Sequence, residues 1–142
     1  MFDRLGLGSA RHPALAALAG ACGAGHVHPA TSGDHVAGVA TRWVVAPGDA
    51  EQVARVLAVA VEHDLAVAVC GAGTKLDWGT APLAADILIS TGRLGGAEAG
   101  PYPGTVTVGA GVPLRAVRAA LARRGLRWPV EVRHLFPLAQ PL

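Results

Sequence analysis

The sequence predicts a domain of mixed α and β structure that is built on a short parallel sheet. Residues 42–46 are a β-favouring run that Pro47 and Gly48 close. A stretch with apolar residues at helical spacing follows, and residues 66–70 then form an apolar run without alternation. Such a run is typical of a strand buried on both faces of a parallel sheet. Strand, helix and strand in this order predict a right-handed β-α-β unit.

The helix of this unit has clear signals at its start. Asp49 stands at a good N-cap position, and Gln52 follows three residues later as the reciprocal capping partner. The spacing predicts one buried face, and its residues are Val53, Val56, Leu57, Ala60 and Val61.

The segments on either side are assigned from the same kinds of pattern. Before the unit, we expect a short helix that packs by Leu15 and Leu18, and residues 23–38 are interpreted as a polar, His-rich connection. After it, the sequence predicts an exposed loop over 75–85, a strand over 86–90, a glycine-rich turn region over 92–104 and a half-buried strand over 105–108. A last helix begins at Pro113 and stops at Gly125, with Leu114, Val117 and Leu121 as its apolar stripe.

Composition excludes several classes of protein. A chain of 142 residues fits one domain, and its net charge of +2 does not indicate a nucleic-acid partner. Two cysteines cannot make a disulfide framework, so we expect a reducing, cytoplasmic setting. The Ala-dominated segment near the start is too weakly apolar for a secretory signal, and no run reaches the roughly 18 apolar residues of a transmembrane segment.

The glycine loop over residues 71–76, Gly-Ala-Gly-Thr-Lys-Leu, follows directly on the apolar run. Glycines let the backbone bring successive N–H groups close to a ligand, and such a concavity suits an anion. Thr74 and Lys75 add a hydroxyl donor and a positive charge, so a phosphate or pyrophosphate is the expected ligand. Leu76 excludes the dinucleotide fingerprint, and the order of Thr74 and Lys75 excludes a Walker A loop. By itself the loop leaves a tight turn without a ligand equally open.

Three other groups of residues are weaker candidates. Cys70 is interpreted as a small, buried residue at a strand end, with a reactive thiol as the alternative. Four residues could be drawn as a zinc site, but their spacing matches no usual pairing of ligands, and we expect no metal; they are Cys22, His26, His28 and His35. The arginines near the end are interpreted as a solvated face or as a face that meets further protein, rather than as a nucleic-acid site; they are Arg115, Arg118, Arg123, Arg124, Arg127 and Arg133.

The order of these motifs is more specific to a protein family than any single motif. Its parts are Val44-Val45-Ala46-Pro47, the capped helix, the glycine loop, Asp77-Trp78-Gly79, residues 86–91, Arg93-Leu94, residues 105–112 and Gly125-Leu126-Arg127-Trp128-Pro129. This order resembles the first half of the PCMH-type FAD-binding domain of the vanillyl-alcohol oxidase and p-cresol methylhydroxylase superfamily. The FAD-binding subunit of glycolate oxidase is the most similar branch, because its glycine loop also continues into Thr-Lys-Leu and a Trp-Gly. The resemblance covers residues 36–129.

The resemblance implies an α+β, PCMH-type FAD-binding fold of two lobes with FAD between them. This chain would supply the first lobe, a small parallel β-α-β sheet with helices, and the start of the second. It implies a division into an N-terminal helix and loop (1–35), a partial FAD-binding domain (36–132) and an irregular tail (133–142). The loop would wrap the FAD pyrophosphate, and Gly111 would be a packing or close-approach position. The implied cofactor-binding residues are Cys70, Gly71, Ala72, Gly73, Thr74, Lys75, Leu76, Gly79 and Gly111.

One departure from the family limits the expected activity. The Thr-x-Gly-Gly segment that follows the Leu-x-Pro in the family is absent, and this chain has Glu131-Val132-Arg133-His134-Leu135 there. We therefore expect an apparently truncated FAD-binding portion of a 2-hydroxyacid oxidoreductase that holds FAD weakly. Other subunits of an oxidase complex, or the missing half of the domain, would be its partners. The alternative is a non-catalytic remnant or a module that needs a second chain. No catalytic residue is assigned, because in the family such groups lie largely in regions that this chain lacks.

Overall fold

The structure is a computed structural model that describes residues 12–99 and 102–129. The described residues belong to two units, one that ends at Val112 and one that begins at Pro113. The predicted tail over 133–142 lies outside the described residues, and the predicted domain boundaries at 35/36 and 132/133 stay predictions. The helices are α1 Pro13–Cys22, α2 Ala50–Glu62 and α3 Leu114–Ala122. The strands are β1 Val27–Pro29, β2 His35–Val36, β3 Val39–Ala40, β4 Trp43–Val45, β5 Val67–Cys70, β6 Ile87–Ser90, β7 Ala97–Ala99 and β8 Val106–Val108.

Four strands form the central sheet in the order β1-β4-β6-β5. Strands β4 and β5 both run parallel to β6, and β1 pairs antiparallel with β4. The predicted strand, helix and parallel strand are confirmed as β4, α2 and β5, with β6 inserted between the two strands. Because β6 is central, Ile87 and Ile89 are fully buried and lie in the core with Val45 and Leu18.

The prediction that residues 66–70 are buried on both faces was wrong. Strand β5 is at the edge of the described sheet, and the side chain of Val69 is 61% exposed. An uninterrupted apolar run is typical of a strand covered by helices on both faces, but it does not tell a central strand from an edge strand. The fully buried strand is β6, whose residues Ile87, Leu88 and Ile89 are all buried.

Helix α2 begins as the sequence predicts. The Asp49 carboxylate accepts a hydrogen bond of 2.7 Å from the N–H of Gln52, whose side-chain oxygen in turn accepts one of 2.8 Å from the N–H of Gly48. The predicted buried face is displaced, however: Val56 and Ala60 are buried, whereas Leu57 is 43% exposed and Val61 is 83% exposed. Both exposed residues lie beside the edge strand β5 in a groove that also contains Leu65 and Val67, where no further described strand covers them.

Helix α1 packs against α2 and confirms the predicted N-terminal helix. The Leu18 side chain is fully buried, and Leu15 is partly buried against the same core. The His12 ring caps the helix by accepting a hydrogen bond of 3.2 Å from the N–H of Ala14. The Arg55 side chain of α2 donates one of 3.1 Å to the carbonyl of Ala21 at the end of α1.

Asp86 joins the amino ends of the three parallel strands. Its side chain accepts a hydrogen bond of 2.8 Å from the N–H of Ala66 and makes an ion pair of 3.1 Å with Arg42. Its backbone carbonyl accepts from the N–H groups of Arg42 and Trp43. This arrangement aligns the strand starts, and therefore also their carboxyl ends, where the glycine loop begins.

Two segments predicted as connections contain strands. Residues 23–38 include β1 and the first strand of the hairpin β2-β3, and residues 92–104 include β7, which pairs with β8. The hairpin turn consists of Ala37 and Gly38, both with positive φ, as a two-residue turn between twisted strands requires. These strands have two or three residues and include His, Pro and Glu, so they show no apolar run that would have predicted them. Strand β8 is less buried than predicted, since Val106 is 42% exposed.

The unit after Val112 contains the predicted last helix, α3. Pro113 is its N-cap, and Gly125 has a φ of +69° beyond its end. Val117 is buried, and Leu114 is 45% exposed. Arg115 and Arg118 are exposed, as the solvated-face interpretation requires. None of the described helices has the length and apolar character needed to cross a membrane.

Candidate functional site

The glycine loop lies at the carboxyl end of the parallel strands, where open α/β sheets bind ligands. It leaves the end of β5, and residues 71–75 are all exposed. Gly73 has a φ of +74°, a conformation that L side chains rarely adopt, so a glycine is required at this point of the turn. The predicted position of the loop is confirmed.

The loop presents a row of backbone donors that have no acceptor among the described residues. The N–H groups of the six residues from Gly71 to Leu76 donate no hydrogen bond to any other described residue. Consecutive N–H groups in a turn form a concave cradle with partial positive charge, which binds phosphate oxygens well. The donor set therefore fits a pyrophosphate.

Two pockets beside the loop share part of their lining. One, of about 300 Å³, is lined by the loop residues together with Val69 and Cys70 of β5. The other, of about 340 Å³, lies between the loop and the residues Gly33, Asp34 and His35 that lead into the hairpin β2-β3. Residues 70–73 and Leu76 line both pockets. The loop thus contributes to both pockets.

The positive charge of the loop has a defined place. The Lys75 ammonium lies 3.5 Å from the centroid of the Trp78 ring, a cation–π contact. This contact restrains the ammonium of a loop residue, so the loop carries a full positive charge in addition to the partial charges of its N–H groups. Lys75 and Trp78 belong to the same motif, Thr-Lys-Leu followed by Asp-Trp-Gly, which the sequence analysis singled out.

The hairpin is tied to the glycine loop. The N–H of Ala37 at its tip donates a hydrogen bond of 3.1 Å to the carbonyl of Leu76. At its base, one oxygen of Asp34 accepts hydrogen bonds from the N–H and the hydroxyl of Thr31, at 2.8 and 2.7 Å. These two bonds hold the pKa of the Asp34 carboxyl below its usual value, with a smaller contribution from His35. The wall of the second pocket is consequently anionic at neutral pH.

The second glycine loop, residues 109–111, supports the first one. A Cβ on Gly111 would come within 2.0 Å of the Thr91 carbonyl oxygen, and one on Gly109 within 2.2 Å of the Leu94 carbonyl oxygen. Only glycine permits this approach of two backbones. The N–H of Thr91 donates to the carbonyl of Cys70 at 2.8 Å, so the same segment also fixes the start of the first loop.

The structure brings most of the predicted site residues together but separates two. Residues 70–76 surround the two pockets, whereas Gly79 and Gly111 line neither of them. Gly111 is a close-approach position, as expected from the resemblance. Sequence reasoning missed Asp34, His35 and Leu88, which line the second pocket, and Thr91, which supports the loop. Asp34 carried a signal only as a polar residue in a segment interpreted as a connection, and His35 was considered only as a zinc ligand.

The cysteines and histidines do not form a site with the loop. Cys70 is half-buried, so it is less buried than predicted, and its thiol lies 3.3 Å from the carbonyl oxygen of Gly71. Cys22 is buried in the core, and burial raises the pKa of its thiol. Among the described residues, no group of three or more His, Cys, Asp or Glu side chains could hold a metal ion.

Comparison with known families shows to which family the chain belongs. Residues 41–138, more than half of the chain, match the family described as the FAD binding domain. The chain belongs to the FAD binding domain family. FAD is therefore the cofactor of this domain, and its pyrophosphate is the ligand that the loop's donors fit. The predicted cofactor is confirmed.

Solved structures agree with the fold of this FAD binding domain, and fifteen of their chains match it. One is the 4-ethylphenol oxidase from Gulosibacter chungangensis in its isoeugenol complex, with a TM-score of 0.63 and 21% sequence identity. The match covers 79% of this chain and 24% of the oxidase, so this chain spans about a quarter of that protein's length. The predicted fold class, the α+β PCMH-type FAD-binding fold, is confirmed. No curated protein sequence shows significant similarity to the chain.

Proposed function

We propose that this chain is the FAD-binding portion of a flavin-dependent oxidoreductase. The observation that carries the proposal is the row of six backbone N–H donors from Gly71 to Leu76, which have no acceptor among the described residues. The chain belongs to the FAD binding domain family, and the pyrophosphate of FAD is a ligand that this row of donors can bind. The residues of this chain bind and orient the cofactor; bound FAD would supply the hydride acceptor.

We further propose that the substrate class is that of 2-hydroxyacids, as in glycolate oxidase. Support comes from the continuation of the loop into Thr74-Lys75-Leu76 and from the Trp-Gly that follows it, since both features are shared with the FAD-binding subunit of that enzyme. The contact between Lys75 and Trp78 gives this shared motif a physical role, because it restrains the ammonium beside the loop.

The proposed site is completed by further polypeptide. The described loop is exposed along residues 71–75, and the matched oxidase is about four times as long as the region compared. Additional protein, in another subunit of an oxidase complex or in a second lobe, would enclose the flavin ring. The second candidate, a non-catalytic module that pairs with another chain, is favoured by the same exposure. The two free cysteines are consistent with the proposed cytoplasmic location.

Titration of the purified chain with FAD, followed by calorimetry and by flavin fluorescence, tests the first proposal. We expect saturable one-to-one binding that weakens in Lys75→Ala and Gly73→Ala variants. Gly95→Ala is the matched control, because a Cβ on Gly95 meets no atom within 4 Å. A wild-type chain that folds but shows no saturable binding of FAD, even at millimolar concentration, would refute the proposal.

A test of the substrate class needs the completed assembly. The chain is co-expressed with the polypeptide encoded beside it, and anaerobic bleaching of the flavin absorbance is followed after addition of a 2-hydroxyacid or a 4-alkylphenol. Bleaching by the 2-hydroxyacid alone supports the glycolate oxidase type. Bleaching by the phenol alone contradicts that type. An assembly that binds FAD stoichiometrically but is reduced by neither points to the non-catalytic module.

A further inference from the structure

The second pocket has walls of opposite character. One wall is the glycine loop with its row of N–H donors, and the other is the base of the hairpin, where Asp34 and His35 lie. The floor is Leu88 of the central strand β6. A ligand in this pocket therefore meets donors on one side and a carboxylate on the other.

The carboxylate keeps one oxygen available. Both hydrogen bonds from Thr31 go to Oδ2 of Asp34, and Oδ1 accepts none from the described part of the chain. The bonds to Oδ2 fix the plane of the carboxylate through a short turn, since Thr31 is only three residues away. Asp34 thus presents a restrained acceptor, and the lowered pKa of its carboxyl keeps that acceptor ionised at neutral pH.

Charge decides which part of a dinucleotide can approach this acceptor. A phosphate beside an ionised carboxylate would be repelled, so the pyrophosphate must stay on the donor side of the pocket. Neutral hydroxyl groups are donors, and sugar hydroxyls flank the pyrophosphate of FAD on both sides. A carboxylate that binds a ribose hydroxyl beside a phosphate-binding glycine loop is also the arrangement used in dinucleotide folds of the Rossmann type.

We propose that Asp34 is a cofactor-binding residue whose Oδ1 accepts a hydrogen bond from a sugar hydroxyl next to the FAD pyrophosphate. The hairpin base, through Gly33, Asp34 and His35, forms the wall of this subsite. The inference rests on the proposed FAD-binding function, and it adds a specificity for hydroxylated nucleotides that the glycine loop alone lacks. The hydrogen bond from Ala37 to Leu76 holds the two walls together.

Calorimetric titrations of the full chain with FAD, ADP and FMN, each on wild type and on Asp34→Asn, test this subsite. Asparagine keeps an oxygen to accept from Thr31 but turns an amide donor toward the place of the free acceptor. We expect FAD to bind roughly 10- to 100-fold more weakly to the variant, the usual effect of a hydrogen bond to a charged group. Glu51→Gln is the control, because it removes a carboxylate that is 83% exposed and lines neither pocket; it should change FAD affinity by less than about threefold.

Titrations with ADP and FMN, which represent the two halves of FAD, show which sugar supplies the hydroxyl. A loss confined to ADP assigns the adenosine ribose, and a loss confined to FMN assigns the ribityl chain; both outcomes support the subsite. For the adenosine case, 2′,3′-dideoxy-ADP on the wild-type chain gives a test that needs no variant, and it should bind roughly 10-fold more weakly than ADP.

The outcomes separate this inference from the function on which it rests. If wild type and Asp34→Asn bind FAD equally, the subsite is refuted while FAD binding stands. If Asp34→Asn does not fold, two measurements on the wild type replace it. The subsite is refuted if ADP and its dideoxy analogue bind equally and if FMN binding does not change with pH through the acid titration of Asp34. If the wild type binds none of the three ligands, both the proposed function and the subsite fail.

Discussion

The Thr91 hydroxyl donates a hydrogen bond of 3.0 Å to the carbonyl of Ala110, while the N–H of the same residue donates one of 2.8 Å to the carbonyl of Cys70. Thr91 is 7% exposed and follows the central strand β6. One buried residue thus connects Cys70, which precedes the first glycine loop, to Ala110 of the second glycine loop, 40 residues further along the chain. The position of the first glycine loop depends on this contact.

Replacement of Thr91 by valine should therefore weaken FAD binding without direct contact to the cofactor. Valine has the same shape but no hydroxyl donor, and the lost hydrogen bond is worth about 0.5 to 1.5 kcal/mol. We expect FAD affinity to fall by roughly two- to tenfold. Thr91→Ser, which retains the hydroxyl, should bind FAD as the wild type does. Equal affinity of the valine variant and the wild type, measured by calorimetry, would show that the loop is held without this bond.

Gly111→Ala should destabilise the fold strongly. The new Cβ would come within 2.0 Å of the Thr91 carbonyl oxygen and 3.0 Å of Gly92 backbone atoms, neither of which can rotate away. Overpacking of this kind costs about 1 to 3 kcal/mol or more. The matched control is Gly95→Ala, where the Cβ meets no atom within 4 Å, and thermal unfolding should be unchanged or slightly raised. Similar melting temperatures for the two variants would contradict the close approach of the segments.

The ion pair of Asp86 with Arg42 should contribute far more than the exposed pair of Glu51 with Arg55. The Asp86 side chain is 10% exposed and also accepts from the N–H of Ala66, whereas the Glu51 side chain is 83% exposed. Asp86→Ala should cost roughly 1.5 to 3 kcal/mol, because it leaves buried donors unpaired. Glu51→Ala should cost within about 0.5 kcal/mol. Chemical denaturation of the two variants measures both values, and equal costs would mean that Asp86 does not join the strands.

The hairpin base should lose stability in acid. The folded-state pKa of Asp34 is lowered, chiefly by the hydrogen bonds from Thr31, so its contribution is fully present above the carboxyl's ordinary pKa. That contribution is lost as pH falls through the lowered folded-state value. The Thr31 amide should exchange faster with solvent over this acid range. In Asp34→Asn, which has no titrating group at this position, the same amide should show no such transition. A transition that persists in the asparagine variant would have to come from another group.

The sequence alone determined the local elements that have strong short-range signals. Asp49 and Gln52 predicted the start of α2, the run over 86–90 predicted β6, and the glycine loop was placed directly after β5. These predictions hold because capping, strand propensity and glycine conformations act within a few residues. The order of the motifs was sufficient to indicate the family and FAD.

Only the tertiary structure decided which surfaces are covered and which distant residues meet. Val69, Leu57 and Val61 are exposed because β5 is an edge strand. Whether a strand is central or at the edge of a sheet depends on residues far away in the chain. Asp34 lines the second pocket together with Cys70, which is 36 residues further along the chain, and Thr91 donates a hydrogen bond to Ala110, which is 19 residues further along. Their sequence neighbours gave no sign of these contacts, because hydrogen bonds and pockets between separate segments form only when the chain is folded.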